Sequence, residues 1–355
     1  MTKLSRRNFL AAATSALAAT ALPGQASASD TATGSHPLAT RLAPALRAGD
    51  TIGIISPANA TYPREPFELA LETLEAMGFK VKPGKFWKAR NSRFAGTDDE
   101  RAADVNAMFG DSNVHGILAM TGGSGCTRIL DKLDYASIAK HPKVLGGFSD
   151  ITALLNAIHA RTGLVTFHAP CAESAWNPYS IDSFKRITMK GEALTQRNPV
   201  ASEDLPVQRK NRVRTITPGI AHGRLVGGNL TVLQTLIGTP YLPNMDGAIL
   251  FLEDIGEYVY RIDRMLAHFK QAGALGRLKG VILGQFTDCQ PGDGGYASFT
   301  LDEVFADVFG KLGIPVYTGA MFGHVAEKMT LPVGLPVEMD AGKGEWRLLT
   351  SAVHV

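Results

Sequence analysis

Apolar residues in this chain come in two rhythms. Residues 51–55 form a short continuous apolar run ending in Ser56, Pro57 and Ala58, which predicts a buried strand. Phe67, Leu71, Leu74 and Met77 then recur at helical spacing, with Gly78 where a helix C-cap belongs. Thr97 followed by Glu100 makes a capping box for a helix running to about Phe109. A second strand is predicted over 114–120, emptying into Thr121-Gly122-Gly123-Ser124-Gly125. Another covers 143–148 and ends in Ser149 and Asp150, ahead of a helix over 151–160. Continuously apolar strands alternating with helices predict an α/β class whose mostly parallel sheet is covered on both faces.

Between about Cys171 and Thr217 the pattern lapses into polar, proline-bearing text without sustained period, such as Asn198-Pro199 and residues 209–214. This reads as a linker with some helix of its own. A second half follows, in which Gly227-Gly228-Asn229 opens a helix and 248–252 is a strand ending in Glu253 and Asp254. A long helix is expected over 258–272 and a further strand over 280–286. After Phe322-Gly323-His324 comes a β-rich closing segment, with Leu331-Pro332-Val333-Gly334 at a turn. The organisation expected is a leader over 1–28, an N-terminal domain over 45–170, the linker over 171–217 and a C-terminal domain over 218–355. At 355 residues, two domains are the natural division.

Composition narrows this further. Hydrophobic residues make up 45% and charged residues 19%, which excludes a disordered chain and leaves no expectation of a surface stripe of like charge. The net charge of +3 belongs to the leader, since Lys3, Arg6 and Arg7 are its only charges and the rest balances 33 against 33. Neither a nucleic-acid partner nor a membrane anchor is called for. The leader places Arg6-Arg7 before an apolar run over 10–22, then Pro23-Gly24 and the small residues Ala26-Ser27-Ala28. That is the pattern of a twin-arginine export signal, predicting a periplasmic or exported soluble protein. The run is too short to span ~30 Å of hydrocarbon. Cys126, Cys171 and Cys289 are odd in number and irregularly spaced, so free buried thiols are expected, with no zinc pattern.

Three loops at strand ends hold candidate chemistry. In Gly146-Gly147-Phe148-Ser149-Asp150 a serine at a strand-to-helix junction can expose its hydroxyl, with the following amide facing developing negative charge. Only half of a G-x-S-x-G elbow is present, and an N-cap would also place Ser or Asp there. The glycine-rich turn Gly122-Gly123-Ser124-Gly125 can supply an oxyanion-hole amide, or simply a tight turn; Ser124 and Cys126 are rival nucleophiles. It lacks the lysine of a P-loop and a dinucleotide fingerprint, so no cofactor is expected. Glu253 closes an apolar strand, where a carboxylate needs a partner, and His324 follows Gly323 in a distant loop. Ser149, His324 and Glu253 could supply nucleophile, base and orienting anion, with Asp254 and Glu257 competing for the acid. No His-Glu-x-x-His pattern appears, and no metal is expected.

These residues resemble the LD-carboxypeptidase family of serine peptidases, which includes muramoyltetrapeptide carboxypeptidase and the microcin C immunity peptidase. The likeness runs from Ile54-Ile55-Ser56-Pro57 to Leu331-Pro332-Val333-Gly334. It is carried best by Gly147-Phe148-Ser149-Asp150-Ile151-Thr152-Ala153-Leu154, Gly227-Gly228-Asn229-Leu230, Phe251-Leu252-Glu253-Asp254-Ile255-Gly256-Glu257 and Gly323-His324. The resemblance implies Ser149 as nucleophile, Glu253 as acid and His324 as base. It also implies a flavodoxin-like N-terminal domain, a smaller β-rich α/β C-terminal domain, a site between them, no metal and a homodimer. Tetrapeptide-trimming members typically read Arg-Gly-Gly-Tyr-Gly where this chain has Thr121 to Gly125, so an arginine and a tyrosine are replaced here. Well-known members work in the cytoplasm, whereas this leader implies export.

The resulting expectation is an exported serine carboxypeptidase cutting the L,D-bond before a terminal D-alanine of a murein peptide, or a related peptide or amide. The amides of Gly123 and Asp150 would form its oxyanion hole, and Gly122, Ser124 and Asn229 would be candidate substrate contacts. A periplasmic two-lobed binding protein and an α/β-type esterase are the alternatives.

Overall fold

The computed structural model describes residues 38–200, 206–292 and 298–355; the leader lies outside them. Five strands form a parallel sheet: Thr51–Ile55, Lys80–Pro83, Gly116–Ala119, Val144–Gly147 and Thr166–His168. Taken in chain order as strands 1 to 5, they stand side by side as 2-1-3-4-5, the flavodoxin-like arrangement. Burial on both faces accounts for the unbroken apolar text of Thr51–Ile55, Gly116–Ala119 and Val144–Gly147, whereas Lys80–Pro83 is the half-exposed edge strand.

The sixth strand of this sheet comes from far along the chain. Leu331–Val333, expected at a turn, instead pairs antiparallel with Thr166–His168. The turn itself is made by Gly334, at φ 93°, where a Cβ would fall onto the His159 ring.

A second, curled sheet has eight strands. Its middle is parallel: Ile220–Asn229, Ala248–Ile255, Gly280–Thr287 and Val316–Thr318. Pro336–Asp340 and Glu345–Leu348 continue it as antiparallel strands on one side. The stretch 171–217 carries the helix Pro178–Thr188 and two short strands, Thr195–Gln196 and Arg214–Thr217, which form opposite edges of this sheet. Edge strands of two and four residues are too short to leave a readable alternation. The helix expected to open at Gly227 opens later: Gly227 to Asn229 finish the strand, and a four-residue helix, Leu230–Leu233, follows.

The two sheets meet through the helix Ile151–Thr162. Every residue from Ile151 to His159 is buried, polar ones included, because the strand Ile220–Asn229 covers the face that would otherwise meet solvent. Asn156 donates its side-chain amide to the Gly227 carbonyl at 2.9 Å, and the Asn229 N–H donates to the Thr152 hydroxyl at 2.9 Å. The approach requires glycine. A Cβ at Gly228 would fall onto the Thr152 side chain, and one at Gly227 onto the Phe251 carbonyl of the neighbouring strand.

The thiols of Cys126, Cys171 and Cys289 are free and buried. No helix among the described residues is long and apolar enough to cross a membrane. One expectation fails outright. A local concentration of like charge does exist, because the loop after Lys80–Pro83 exposes Lys85, Lys88, Arg90 and Arg93 with no acid between them in sequence. An overall balance of charge does not constrain its local distribution.

Gly227→Ala should destabilise the protein by about 3 kcal/mol, through overpacking against a backbone carbonyl. Gly247→Ala, at φ 70° but with open space around it, should lose only about 1 kcal/mol. Denaturant unfolding of both variants checks this; equal losses would mean that the close approach at Gly227 is unimportant.

Candidate active site

Ser149 sits between the strand Val144–Gly147 and the helix Ile151–Thr162, at φ 63°. A non-glycine residue there carries strain of roughly 1–3 kcal/mol. The turn is closed by the N–H groups of Ile151 and Thr152, which donate to the carbonyls of Phe148 and Ser149 at 3.3 and 2.9 Å. Half an elbow motif suffices because the crowded neighbour is supplied from elsewhere. Gly122 lies so close that a Cβ on it would stand 2.8 Å from the Ser149 Cβ.

The glycine loop is held on two sides. Asn59 accepts from the Ser124 N–H at 3.1 Å and donates its own N–H to the Gly122 carbonyl at 3.2 Å. Arg101, fully buried, donates to the Gly125 carbonyl at 2.9 Å. The Asp150 carboxylate accepts from the Cys126 N–H at 2.8 Å, joining the loop to the serine turn. Burial pushes the Asp150 carboxyl up, and the Cys126 amide partly offsets this. Burial also pushes the Cys126 thiol well up, so it stays protonated and is removed as a rival nucleophile. The backbone N–H groups of Gly123 and Asp150 donate to no acceptor among the described residues.

Glu253 and His324 arrive from the second sheet. Glu253 is paired in register with Asn229, the residue anchored to Thr152. It is fully buried. Gly323, at φ 94°, passes so near Glu253 that a Cβ there would fall onto the carboxylate. That close pass sets His324 down with Nδ1 2.7 Å from Glu253 Oε2 and Nε2 3.1 Å from Ser149 Oγ. The Thr287 hydroxyl donates to the His324 carbonyl at 2.9 Å, and the Phe148 ring meets the imidazole edge-on at 5.0 Å. A hydroxyl, an imidazole and a carboxylate thus stand in one hydrogen-bonded line, able to activate an oxygen nucleophile.

The competing acids lie elsewhere. Asp254, on the opposite face of the strand, accepts from Asn229 Nδ2 at 3.0 Å, from the Thr231 hydroxyl at 2.8 Å and from two backbone N–H groups. Burial, and then the neighbouring Glu253 charge, push its carboxyl up to about 6. Glu257 pairs with Arg261 at 3.6 Å. Asn229 uses its side chain inside the protein, donating to Asp254 and accepting from the Val232 N–H at 3.1 Å. Ser124 Oγ lies 3.3 Å from Asn59 Oδ1.

Sequence reading missed Asn59, Arg101, Thr152 and Asn156, whose roles exist only between distant segments. It also missed His168, buried against Phe251 and Phe322 at 5.5 and 5.9 Å and kept neutral because burial lowers its pKa to about 4. Its place at the end of a strand was the one available signal. Beside the His324 loop a cavity of about 540 Å³ is lined by Arg209, Arg212, Arg214, Gln285, Met321 and Val325, among others.

Residues 52–169 match the LD-carboxypeptidase N-terminal domain, and residues 222–339 match the C-terminal domain. A probable murein peptide carboxypeptidase of Bacillus subtilis (strain 168) is 37% identical over 304 residues, covering 84% of this chain and 91% of that protein. The microcin C7 self-immunity protein MccF of Escherichia coli is 30% identical over 332 residues, covering 86% and 94%. Among solved structures, MccF in complex with glutamyl sulfamoyl guanosine superposes with a TM-score of 0.79 at 28% identity, covering 88% of this chain and 99% of that one. Muramoyltetrapeptide carboxypeptidase from Oxalobacter formigenes gives 0.71 at 31%, covering 84% and 97%. Two domain matches in the expected order, on a fold of this arrangement, leave neither a binding protein nor an α/β-type esterase: the chain belongs to the LD-carboxypeptidase family and is a serine-type carboxypeptidase.

Proposed function

We propose that this protein is exported and removes the terminal D-alanine from murein tetrapeptide stems, through a Ser149–His324–Glu253 triad. The observation that carries the reading is the line of hydrogen bonds from Glu253 through His324 to the strained Ser149. His324 Nε2 takes the hydroxyl proton as Ser149 Oγ attacks the carbonyl carbon, and Glu253 stabilises the imidazolium at Nδ1. The uncommitted amides of Gly123 and Asp150 receive the oxyanion; one such donor is worth ~3 kcal/mol in comparable enzymes. His324 then returns the proton to the departing alanine nitrogen, and water releases the acyl group by the reverse roles.

Several observations support the substrate. A carboxypeptidase substrate ends in a carboxylate, and the cavity beside the His324 loop is lined by Arg209, Arg212 and Arg214, the last shared with Asp302 at 2.7 Å, groups suited to such an anion. A relative in Pseudomonas aeruginosa, 31% identical over 303 residues and covering 83% of this chain and 94% of that protein, is named a murein tetrapeptide carboxypeptidase. Export rests on Arg6-Arg7 and the apolar run behind it. The family resemblance adds a homodimer, which light scattering of the purified protein would measure.

Incubated with purified disaccharide-tetrapeptide, the wild type should release one alanine, seen as a mass loss, whereas Ser149→Ala should release none while keeping its fold. Intact substrate after incubation with folded wild type would contradict the murein reading. Glu253→Gln should lower kcat by about 10⁴-fold with little change in KM, because an amide can hold the imidazole in the wrong tautomer. A loss under tenfold would remove Glu253 from the triad.

A further inference from the structure

From Ala76 to Thr97 the chain carries six cations and no acid: Lys80, Lys82, Lys85, Lys88, Arg90 and Arg93. Lys82 is paired with Asp111. Of the acids that follow this segment, Asp98 is engaged with Arg101 and Arg128 and Asp99 with Lys132, while Asp104 is buried against the loop and accepts from the Phe86 N–H at 2.8 Å. Lys85, Lys88, Arg90 and Arg93 are all exposed, and none forms an ion pair among the described residues. Each instead stands over an aromatic face. Lys85 lies 4.9 Å from the Phe86 ring, Lys88 4.8 Å from Trp87, Arg90 4.2 Å from Tyr62 and Arg93 5.1 Å from Phe94. Cation–π contact fixes where a charged head sits while leaving its N–H donors to outside acceptors. Four like charges within nine residues repel one another, which burdens the free protein and favours an anionic partner.

The position of this surface matters as much as its sign. Its loop follows the strand Lys80–Pro83, on the same edge as the glycine loop and the serine turn. The Ala60 N–H donates to the Arg93 carbonyl at 2.8 Å, and the adjacent Asn59 is bonded to Gly122 and Ser124. Gly122 in turn lies against Ser149. Basic surface, glycine loop and serine therefore form one connected edge.

We propose that the surface of Lys85, Lys88, Arg90 and Tyr62 holds a polymer of repeated carboxylates, the peptide-bearing murein strand itself, while one stem reaches Ser149. This rests on the murein reading given above. A lone peptide offers its terminal carboxylate to one or two cations, whereas a strand bearing many uncrosslinked stems offers an anion on each. A surface of several spaced cations fits the second. Tyr62, 54% exposed, lies under Arg90 and adds apolar surface beside it.

The test is co-sedimentation of the full protein with insoluble murein stripped of phosphate-bearing polymers. Wild type and Ser149→Ala should both sediment at low salt and be released at about 0.5 M salt, where the Debye length is only several ångströms. The triple variant Lys85→Ala, Lys88→Ala, Arg90→Ala should bind about tenfold more weakly, yet trim soluble disaccharide-tetrapeptide at the wild-type rate. Amidating the murein carboxyls should abolish binding by the wild type. If the triple variant melts early, Arg90→Glu alone replaces it, with the same expectation. Undiminished sedimentation of these variants, or of wild type on amidated murein, would overturn the proposal. So would tighter binding to phosphatidylglycerol vesicles or to DNA. Binding is read on Ser149→Ala as well, so an enzyme that fails to trim tetrapeptide would refute the murein-substrate reading without deciding this one.

Discussion

The helix Ile151–Thr162 lies against the strand Ile220–Asn229 closely enough that Thr152 and Asn156 bond directly to its backbone. The rest of the site follows from this contact. The helix begins at the serine turn, so fixing Thr152 fixes Ser149 three residues earlier. The strand ends at Asn229, whose register partner on the next strand is Glu253. The serine turn of one sheet and the Glu253 strand of the other are thereby brought close, and His324 spans the remaining gap. Gly227 and Gly228 permit the contact because any side chain would hold the surfaces apart.

Such a site opposes the stability of its fold. Ser149 is held at positive φ, and two carboxylates, Glu253 and Asp254, are buried at successive positions of one strand. Their side chains leave on opposite faces, which separates their roles. Asp254 is enclosed by four donors and helps hold the Asn229 turn, while Glu253 faces the imidazole. Asp254 titrates upward, to about 6, since burial and its neighbour both disfavour its charge. Relative to an ordinary aspartate, its protonated form therefore contributes stability that is full below about 4 and is lost as pH rises through about 6. The site is stable because surrounding hydrogen bonds and apolar packing outweigh these local penalties.

Much of this was legible in the residues. Continuous apolar runs announced a parallel sheet, the Thr97–Glu100 capping box formed as read, and Ser149 could be singled out at a strand end. The closing strand Leu331–Val333 was not legible as such, because its partner lies more than 150 positions earlier and a proline sits in its middle. The same holds for Asn59, Arg101 and Asn156, ordinary polar residues until the fold places carbonyls and amides opposite them. Choosing Glu253 over Asp254 and Glu257 from spacing alone was not possible; strand alternation and the Gly323 crossing decide which carboxylate meets the imidazole. The basic loop was hidden by an average, since balanced totals conceal a segment of one sign.

The central claim is that the contact between sheets turns one serine of this chain into a nucleophile. Labelling the native protein with a fluorophosphonate and locating the adduct by peptide mass spectrometry tests that claim directly. The account predicts a single adduct on Ser149, absent from His324→Ala. An adduct on Ser124, or equal labelling of Ser149 without His324, would contradict it.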